Sequence, residues 1–266
     1  MKYIYLSILS LVVFYIAFLI VIYINQRNLL YHPSENNYLN DKIEFKYEEV
    51  WIETEKEIKL RSWLIKKDIK KYKTLVYFHG NAGNLFNRVH KLNELNKLDI
   101  NILIISWRGF SGNQGKPTEK NLYHDAKKSI EWLNELGISN NKIILYGESL
   151  GTGIAVELGQ KNIFNSIILE SPFTSMTKAA KIYYPYLPVN LLLKDRYDSI
   201  DKINKITKPI LVMHGMKDNI VPYTMGIELF QKANKPKYSY FPKNDNHMMD
   251  FNEQLLDIIR TFINKN

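Results

Sequence analysis

The chain has 266 residues, of which 45% are hydrophobic and 24% are charged, and this composition suits one globular α/β domain. It contains no cysteine, which excludes disulfides, thiolate metal sites and a cysteine nucleophile. The formal net charge is +9, but the lysines are scattered and form no basic stripe interleaved with aromatic residues, so no nucleic-acid site is predicted.

The N-terminus carries a long apolar segment. Residues 3–24 contain no charged side chain, and as a helix they would span about 33 Å, enough to cross a hydrocarbon core of ~30 Å. A secretory signal peptide is the alternative, but the segment is long for one and no small-x-small cleavage site follows it. We therefore predict an uncleaved membrane anchor over residues 1–27, on an undetermined side of the membrane. The scattered basic residues are either an ordinary solvated surface or a source of attraction toward anionic lipids.

A turn-rich linker, residues 28–42, leads into the predicted globular domain, residues 43–266. This domain begins with a predicted antiparallel strand pair, after which strands and helices alternate. The predicted strands cover residues 43–54, 57–66, 74–78, 100–107, 143–145, 166–170, 209–214 and 238–241. The predicted helices cover residues 85–98, 119–136, 154–158, 224–233 and 251–263. Repeated strand–helix units with short connections predict a mostly parallel central sheet with helices on both faces.

The most informative motif is the G-x-S-x-G sequence at residues 147–151, between a predicted strand and a predicted helix. This order is typical of a nucleophile elbow, a sharp turn that lifts a serine clear of the sheet. Gly147 and Gly151 would let the strand and the helix approach each other, and the Leu150 N–H would face a developing oxyanion. A serine that merely caps a helix is the alternative, and the strand–turn–helix context favours a nucleophile at Ser149.

A serine nucleophile needs a general base and a carboxylate that orients the base. In the strand–turn–helix arrangement these follow the serine in the order Asp or Glu, then His. Asp218 lies in the loop after the predicted strand 209–214, and His247 lies in the loop after the strand 238–241. We therefore predict Asp218 as the acid and His247 as the base. Glu170, at the end of an earlier strand, is the alternative acid, and His214 is expected to shape a turn.

A second oxyanion donor is expected from the loop after the strand 74–78. Residues 79–84, HGNAGN, are rich in glycine and would bring a backbone N–H close to the elbow. We assign this role to the N–H of Asn81, beside that of Leu150, while Asn84 is suited to cap the following helix. A phosphate-binding loop is disfavoured because no G-K-[ST] follows. No metal and no organic cofactor are predicted.

Taken together, these motifs resemble the α/β-hydrolase superfamily, and more narrowly its small membrane-anchored branch, the bud-emergence-type hydrolases. The segments that carry the resemblance are HGNAGN (79–84), WRGFSGNQGKPTEKNLYHDA (107–126), GESLGTG (147–153), LESPFTSM (169–176) and HGMKDNIVP (214–222), with His247. The resemblance implies an α/β-hydrolase fold, the triad Ser149–Asp218–His247 and the oxyanion hole of Asn81 and Leu150. It also implies kinship with enzymes that deacylate S-acylated proteins, with lysophospholipases and with serine aminopeptidases. The chain departs from the family pattern at Ser106, Ser111 and Asn246, without losing a catalytic group.

The segment between Ser171 and Ile200, where such enzymes insert a lid, is short and rich in aromatic residues and prolines. An apolar rim of this kind suits an acyl chain, although the same side chains would also serve to pack over the sheet edge. We expect a membrane-anchored serine hydrolase that cleaves carboxylic esters or thioesters of small-molecule or lipid acyl substrates. A serine aminopeptidase and a catalytically silent membrane-anchored scaffold are the alternatives.

Overall fold

In a computed structural model of the protein, residues 1–34 and 42–266 are described, so part of the predicted linker, residues 35–41, lies outside the described residues. The strands of the main sheet, β1 to β8, cover Glu48–Glu55, Ile58–Ile65, Thr74–Phe78, Asn101–Ile105, Ile143–Glu148, Ser166–Glu170, Ile210–Met213 and Lys237–Tyr240. The α-helices, α1 to α8, cover Lys2–Leu30, Val89–Leu95, Glu119–Glu135, Leu150–Gly159, Met176–Tyr183, Val189–Leu192, Tyr223–Lys232 and Glu253–Lys265.

The main sheet has the strand order β8-β7-β6-β5-β3-β4-β2-β1. The pairs β1–β2 and β2–β4 are antiparallel, and all the other neighbours are parallel. Every residue of the inner strands β3 to β7 is buried. Strands that are covered on both faces read as continuous apolar runs, as these do. The predicted mostly parallel sheet is therefore confirmed.

Two hydrophobic layers cover the two faces of the sheet. Because successive side chains of a strand point to opposite faces, Leu145 packs in one layer and Ile144 of the same strand packs in the other. The helices α3, α4 and α7 contribute to the layer that contains Leu145, and α2 and α8 contribute to the layer that contains Ile144. The prediction of helices on both faces is also confirmed.

The differences from the predicted elements are local. The predicted helix 85–98 begins as a 3-10 turn, Leu85–Arg88, capped by the Asn84 side chain as expected, and α2 ends at Leu95. Within the predicted lid segment, residues 171–200, which we call the cap, the chain forms α5 and α6. Neither of these short helices is predicted from the sequence. The side chain of Ser175 caps the start of α5, and Pro188 immediately precedes α6.

Helix α1 continues to Leu30, past the predicted boundary at Arg27. Among the described residues it is the one helix long and apolar enough to cross a membrane, with 29 residues and a mean hydropathy of 2.8 over its most apolar window. Signal sequences share this length and composition. The last turns of α1, however, are built into the domain. Gln26 donates to the Leu192 carbonyl at 3.0 Å and accepts from the Lys194 N–H at 2.7 Å.

Two further contacts fasten the end of α1 to the cap. The guanidinium of Arg27 forms two hydrogen bonds with the Asp195 carboxylate, at 2.9 and 3.2 Å. The Tyr31 hydroxyl, just after the helix, is 2.8 Å from the Tyr197 hydroxyl and bonds to Asp195 at 3.2 Å. Because Asp195, Tyr31 and Tyr197 are buried, the bonds of the Tyr31 hydroxyl are shielded from competing water, whereas the Arg27 side chain is half-exposed.

Candidate active site

Ser149 occupies the sharp turn between β5 and α4, with a backbone φ of 50° and ψ of −115°. This conformation is rare for a residue with a side chain and is typical of strained functional turns. The two neighbouring glycines are required by space. A Cβ on Gly151 would lie 1.9 Å from the Phe78 carbonyl oxygen, and one on Gly147 would lie 2.5 Å from the Gly151 oxygen. The strand and the helix approach each other as the motif predicts.

The structure brings the three predicted catalytic side chains together. His247 Nε2 lies 3.0 Å from Ser149 Oγ, and His247 Nδ1 lies 2.7 Å from Asp218 Oδ2. Because a carboxylate only accepts, the neutral imidazole carries its proton on Nδ1, which leaves the Nε2 lone pair toward the serine hydroxyl. The second carboxylate oxygen accepts from the N–H groups of Ile220 and Val221, at 2.8 Å each. Asp218 is thereby held in one orientation.

Asp218 is charged at neutral pH. Burial acts to raise its pKa, but hydrogen bonds from His214 and His247, together with the Val221 N–H, outweigh burial and hold the pKa of Asp218 well below its usual range. Its side chain is fully buried, and that of His247 is 10% exposed. The carboxylate can therefore orient the imidazole and stabilise a positive charge on it.

His214 is a member of the site that the sequence did not reveal. Its Nε2 lies 2.8 Å from Asp218 Oδ2, the same oxygen that His247 contacts, and 3.0 Å from the Val221 carbonyl. Both neighbours are acceptors, so Nε2 carries the proton. The buried Nδ1 has no hydrogen-bond partner among the described residues. Two imidazoles thus share one carboxylate oxygen.

The loop that carries the predicted oxyanion donor Asn81 borders the cavity above Ser149. Asn81, Ser149 and Leu150 line the same cavity. The preceding N–H, that of Gly80, is directed away toward the Glu148 carboxylate at 3.2 Å. Asn81 itself is tied to the end of α1, since its side-chain amide donates to the Leu30 carbonyl at 2.6 Å and its carbonyl accepts from the His32 N–H at 2.8 Å.

A buried ionic network lies directly beneath the elbow. Glu148, the residue before Ser149, accepts from Arg88 at 2.7 Å and from Lys91 at 3.0 Å. Lys91 also bonds to Glu170 at 2.6 Å. The hydroxyls of Tyr77 and Tyr146 complete the network by donating to Glu148 and Glu170 at 2.5 and 2.6 Å. Two cations and two carboxylates make the cluster formally neutral.

The network accounts for Glu170, the alternative acid. Its carboxylate is fully buried and accepts from Lys91 and Tyr146, whereas His247 bonds to Asp218. Burial raises the pKa of Glu170, against the attraction of Lys91. Burial also acts on Glu148, but there Arg88 and Lys91 outweigh it and hold the pKa of Glu148 well below its usual range. The structure thus brings Asp218, and not Glu170, to the imidazole.

An apolar cavity of about 300 Å³ opens above Ser149. Its walls come from three parts of the chain: the elbow with its neighbouring loops, the cap, and the last turns of α1. The lining residues are Phe18, Ile22, Gln26, Leu29, Leu30, Asn81, Ser149, Leu150, Phe173, Met176, Ala179, Ala180, Tyr183, Tyr184, Leu187, Val189, Leu192, Leu193, Ile220 and Val221. No side chain in this set carries a formal charge, so the cavity suits an apolar group.

The positions that depart from the family pattern are accommodated locally. Ser106 donates to the Ser111 hydroxyl at 2.7 Å, and that hydroxyl also accepts from the Leu85 N–H at 3.3 Å. The side chain of Asn246 accepts from the Met248 N–H at 3.0 Å in the His247 loop.

Within residues 1–34 and 42–266, no group of three or more His, Asp and Glu side chains is placed to hold a metal ion.

Comparisons with known proteins reach the same fold. A family model described as the prolyl oligopeptidase family matches residues 95–257. The protein bem46 of Schizosaccharomyces pombe is 31% identical over 262 residues, which cover 92% of this chain and 88% of its own length. The human α/β-hydrolase domain-containing protein 17B is 32% identical over 197 residues, which cover 72% of this chain and 66% of its own length.

Solved structures agree at the level of the fold. The Pyrococcus furiosus esterase Pf2001 superposes with a TM-score of 0.70 at 21% identity, over 89% of this chain and 98% of its own. Est1E from Butyrivibrio proteoclasticus, solved with bound ferulic acid, superposes with a TM-score of 0.67 at 18% identity, over 81% of this chain and 98% of its own.

Proposed function

The chain belongs to the prolyl oligopeptidase family of the α/β-hydrolase superfamily, and from this premise we propose that it is a membrane-anchored serine hydrolase that cleaves carboxylic esters or thioesters of acyl substrates. The observation that carries the proposal is the continuous hydrogen-bonded path from Asp218 through His247 to Ser149, with distances of 2.7 and 3.0 Å. In the proposed organisation, residues 1–27 anchor the protein, residues 28–42 connect, and residues 43–266 form the hydrolase domain.

The proposed reaction is a two-step acyl transfer. His247 Nε2 takes the proton of Ser149 as its Oγ attacks the substrate carbonyl, and the anionic Asp218 stabilises the imidazolium that forms. The backbone N–H groups of Asn81 and Leu150 hold the oxyanion. His247 then protonates the leaving group, and water, deprotonated by the same imidazole, hydrolyses the acyl-enzyme. Every proton in this scheme moves through His247, and no cofactor takes part.

The contacts of α1 support a retained anchor over a cleaved signal sequence. Cleavage after Arg27 would remove the two residues, Gln26 and Arg27, that bond to Leu192, Lys194 and Asp195 of the cap. It would also remove Phe18 and Ile22 from the wall of the cavity. A segment that is discarded has no reason to complete the site of the mature protein. We therefore infer that α1 stays attached and holds the protein on a membrane.

The proposal is tested by labelling the full chain, in detergent or vesicles, with a fluorophosphonate, which reacts with activated serines. We expect the wild type to be labelled and the Ser149→Ala variant to stay unlabelled. The kcat for p-nitrophenyl esters should fall by several orders of magnitude in that variant, to what the oxyanion hole and binding alone supply. A folded wild type that is neither labelled nor active would support the catalytically silent scaffold.

A peptidase of the serine aminopeptidase type is the second candidate, since the matching family model is named after a peptidase. An aminopeptidase has to receive the charged amino group of its substrate, which calls for an acidic side chain near the serine. None of the residues that line the cavity above Ser149 in the described part of the chain, residues 1–34 and 42–266, is acidic. We therefore expect p-nitrophenyl esters to be cleaved far faster than aminoacyl p-nitroanilides, and the reverse order would favour the peptidase.

A further inference from the structure

The anchor helix α1 forms part of the cavity wall, beside the cap. Phe18 and Ile22 of α1 line the same apolar space as Leu187 and Leu192 of the cap, and Ser149 lies in that space too. The cavity volume of about 300 Å³ is at the lower end of the range for ligand pockets. A substrate that fills it would therefore touch the membrane helix while its carbonyl group reacts.

The length of α1 indicates where this cavity lies relative to the bilayer. At ~1.5 Å per residue the helix is about 44 Å long, whereas a hydrocarbon core is ~30 Å thick. About 20 residues therefore suffice to span the core, and the remaining turns, which include Gln26 and Leu30, lie against the domain. The cap reaches back along the spanning part, because the Tyr15 hydroxyl donates to the Tyr186 carbonyl at 2.9 Å. The tip of the cap thus lies at the depth of the acyl chains.

The outer surface of the cap has the chemistry of a membrane interface. Tyr186 is 89% exposed and Leu191 is 84% exposed. Tyr186 contacts Tyr15 of α1, and Leu191 precedes Leu192, whose carbonyl bonds to Gln26 of α1. At the domain end of this surface, the ammonium of Lys194 stands 3.9 Å above the Tyr23 ring. Exposed aliphatic and tyrosine side chains bordered by a cation match the order of acyl chains, interface and anionic headgroups in a leaflet.

From these contacts we infer that α1 and the cap form a lateral entrance from the lipid bilayer to Ser149. The acyl chain of a membrane-embedded ester or thioester slides from the leaflet between Ile22 and Leu192 into the cavity, without passing through water. Exposing each methylene to water costs free energy, so this route favours long chains over short ones. The inference rests on the proposed hydrolase function. It implies that residues of α1 help to determine which acyl-chain lengths the enzyme accepts.

The entrance is tested with the full chain in phosphatidylcholine vesicles, with p-nitrophenyl palmitate and p-nitrophenyl butyrate as substrates. The Ile22→Trp variant fills the entrance from the helix side, and Leu192→Trp fills it from the cap side. We expect either change to lower kcat/KM for the palmitate ester at least tenfold and that for the butyrate ester less than twofold. Ile20→Trp, on the same helix but outside the cavity lining, is the matched control and should leave both values unchanged.

The proposed entrance is contradicted if the two entrance variants lower kcat/KM equally for both esters. It is also contradicted if Ile20→Trp lowers kcat/KM for the palmitate ester as much as they do. In that case fluorophosphonate labelling and butyrate hydrolysis by the wild type would persist, and the proposed function would stand. If the wild type is neither labelled nor active on either ester, the function itself fails and the entrance fails with it. Labelling of each variant also shows that its site has folded.

The position of the cap is tested separately by tryptophan quenching in the same vesicles. A Leu191→Trp variant should emit more tryptophan fluorescence than the wild type, which has four native tryptophans. Brominated phosphatidylcholine should quench this additional emission. An Ile163→Trp variant is the control, because Ile163 is exposed in the loop before β6, at the amino ends of the parallel strands, whereas Ser149 lies at their carboxyl ends. Equal quenching in the two variants would show that the cap lies outside the bilayer.

Discussion

Asp218 serves two histidines through one oxygen atom. His247 takes part in the proposed reaction, whereas His214 is fully buried behind the carboxylate and is held there by the Val221 carbonyl as well. The hydrogen bond from His214 fixes the position of the Asp218 oxygen. It thereby also fixes the position of the His247 imidazole, which bonds to the same oxygen. His214 is therefore a positioning residue for the proposed base.

We expect a His214→Leu variant to lose about tenfold in kcat with little change in KM, because the substrate does not touch His214 while the geometry of general-base catalysis does depend on Asp218. His214→Gln keeps an N–H donor and should recover part of the loss. Steady-state kinetics with a short soluble ester, at matched fluorophosphonate labelling, measures both variants. Equal kcat for the Leu variant and the wild type would contradict the positioning role.

His79 introduces a pH dependence of stability. Its ring is fully buried in the loop before Asn81, where Nδ1 donates to the Gly80 carbonyl and Nε2 faces the Trp107 N–H. Burial, with the charge of Arg88, lowers the pKa of His79 to about 3, against ~6.5 in an unfolded chain. Between these values the unfolded state binds a proton that the folded state does not. The free energy of unfolding therefore decreases as the pH falls, by at most about 1.4 kcal/mol per pH unit.

We expect a His79→Asn variant to show a shallower decrease in the free energy of unfolding between pH 7 and pH 5, measured by urea denaturation of the full chain in detergent micelles. His32→Asn, which changes an exposed histidine, should keep the wild-type slope. A wild-type slope in the His79 variant would mean that another group controls stability in this range.

At the residue scale, the sequence predicts those site members whose positions follow from strand ends and chain order, namely Asp218 and His247. It does not predict His214, because a histidine followed by glycine after a strand is equally typical of a simple turn. Its role depends on a hydrogen bond across a folded loop, and no local pattern encodes such a bond. The same holds for the partners of Glu170, which are Lys91 of the packed helix α2 and Tyr146 of the neighbouring strand β5.

At the scale of elements, the junction of β5 and α4 depends on the layer below it. Glu148 ends β5 under Ser149, and its carboxylate is bonded to Arg88 and Lys91 from the segment around α2. The network therefore joins the elbow to the opposite helical layer. Because these groups are buried, removal of one partner leaves an uncompensated charge, which typically costs about 3–5 kcal/mol.

We expect Lys91→Met to destabilise the protein by about 3–5 kcal/mol, because two buried carboxylates would then face each other without the shared cation. The double variant Lys91→Met/Glu170→Gln removes one of those charges and should recover part of the loss. Urea denaturation of both variants, in detergent micelles, measures the difference. Additive losses in the double variant would contradict the coupling within the network.

Strand boundaries agree within three residues, except that β1 begins at Glu48 and not at the predicted residue 43. The elements of the domain are largely predictable, because the central strands are short apolar runs and α3, α7 and α8 are amphipathic. Helices α5 and α6 are the exception. Each is short, prolines interrupt the segment, and the apolar side chains of the segment face the cavity and the cap surface as well as a core. The periodicity of apolar residues predicts a helix that buries one face against a core. Helices α5 and α6 do not bury a single face in this way.

At the scale of the whole molecule, the last turns of the N-terminal helix pack against the domain. The apolar composition of α1 predicts a membrane segment, but not that its last turns complete the cavity above Ser149. The contacts involved join residues far apart in the chain, such as Gln26 with Leu192. Contacts at such separation come from tertiary packing and cannot be read from a sequence pattern.

The side-chain amide of Asn81 connects the loop beside Ser149 to Leu30, the last residue of α1, at 2.6 Å. A spanning helix that is longer or shorter than the local hydrocarbon thickness adjusts its tilt or deforms the bilayer around it. A change of tilt would displace Leu30 and, through this bond, move the Asn81 N–H relative to the oxyanion. Hydrophobic mismatch would then be converted into a change of catalytic rate.

We expect the turnover of a short soluble ester by the full chain to pass through a maximum as the acyl length of the phosphatidylcholine vesicles increases. Asn81→Ala keeps the backbone N–H but removes the link to Leu30, so its rate should vary less with lipid length. An identical dependence in the two proteins would contradict the coupling. With the coupling present, the enzyme would act as a sensor of membrane thickness, most active in compartments whose bilayers match its helix.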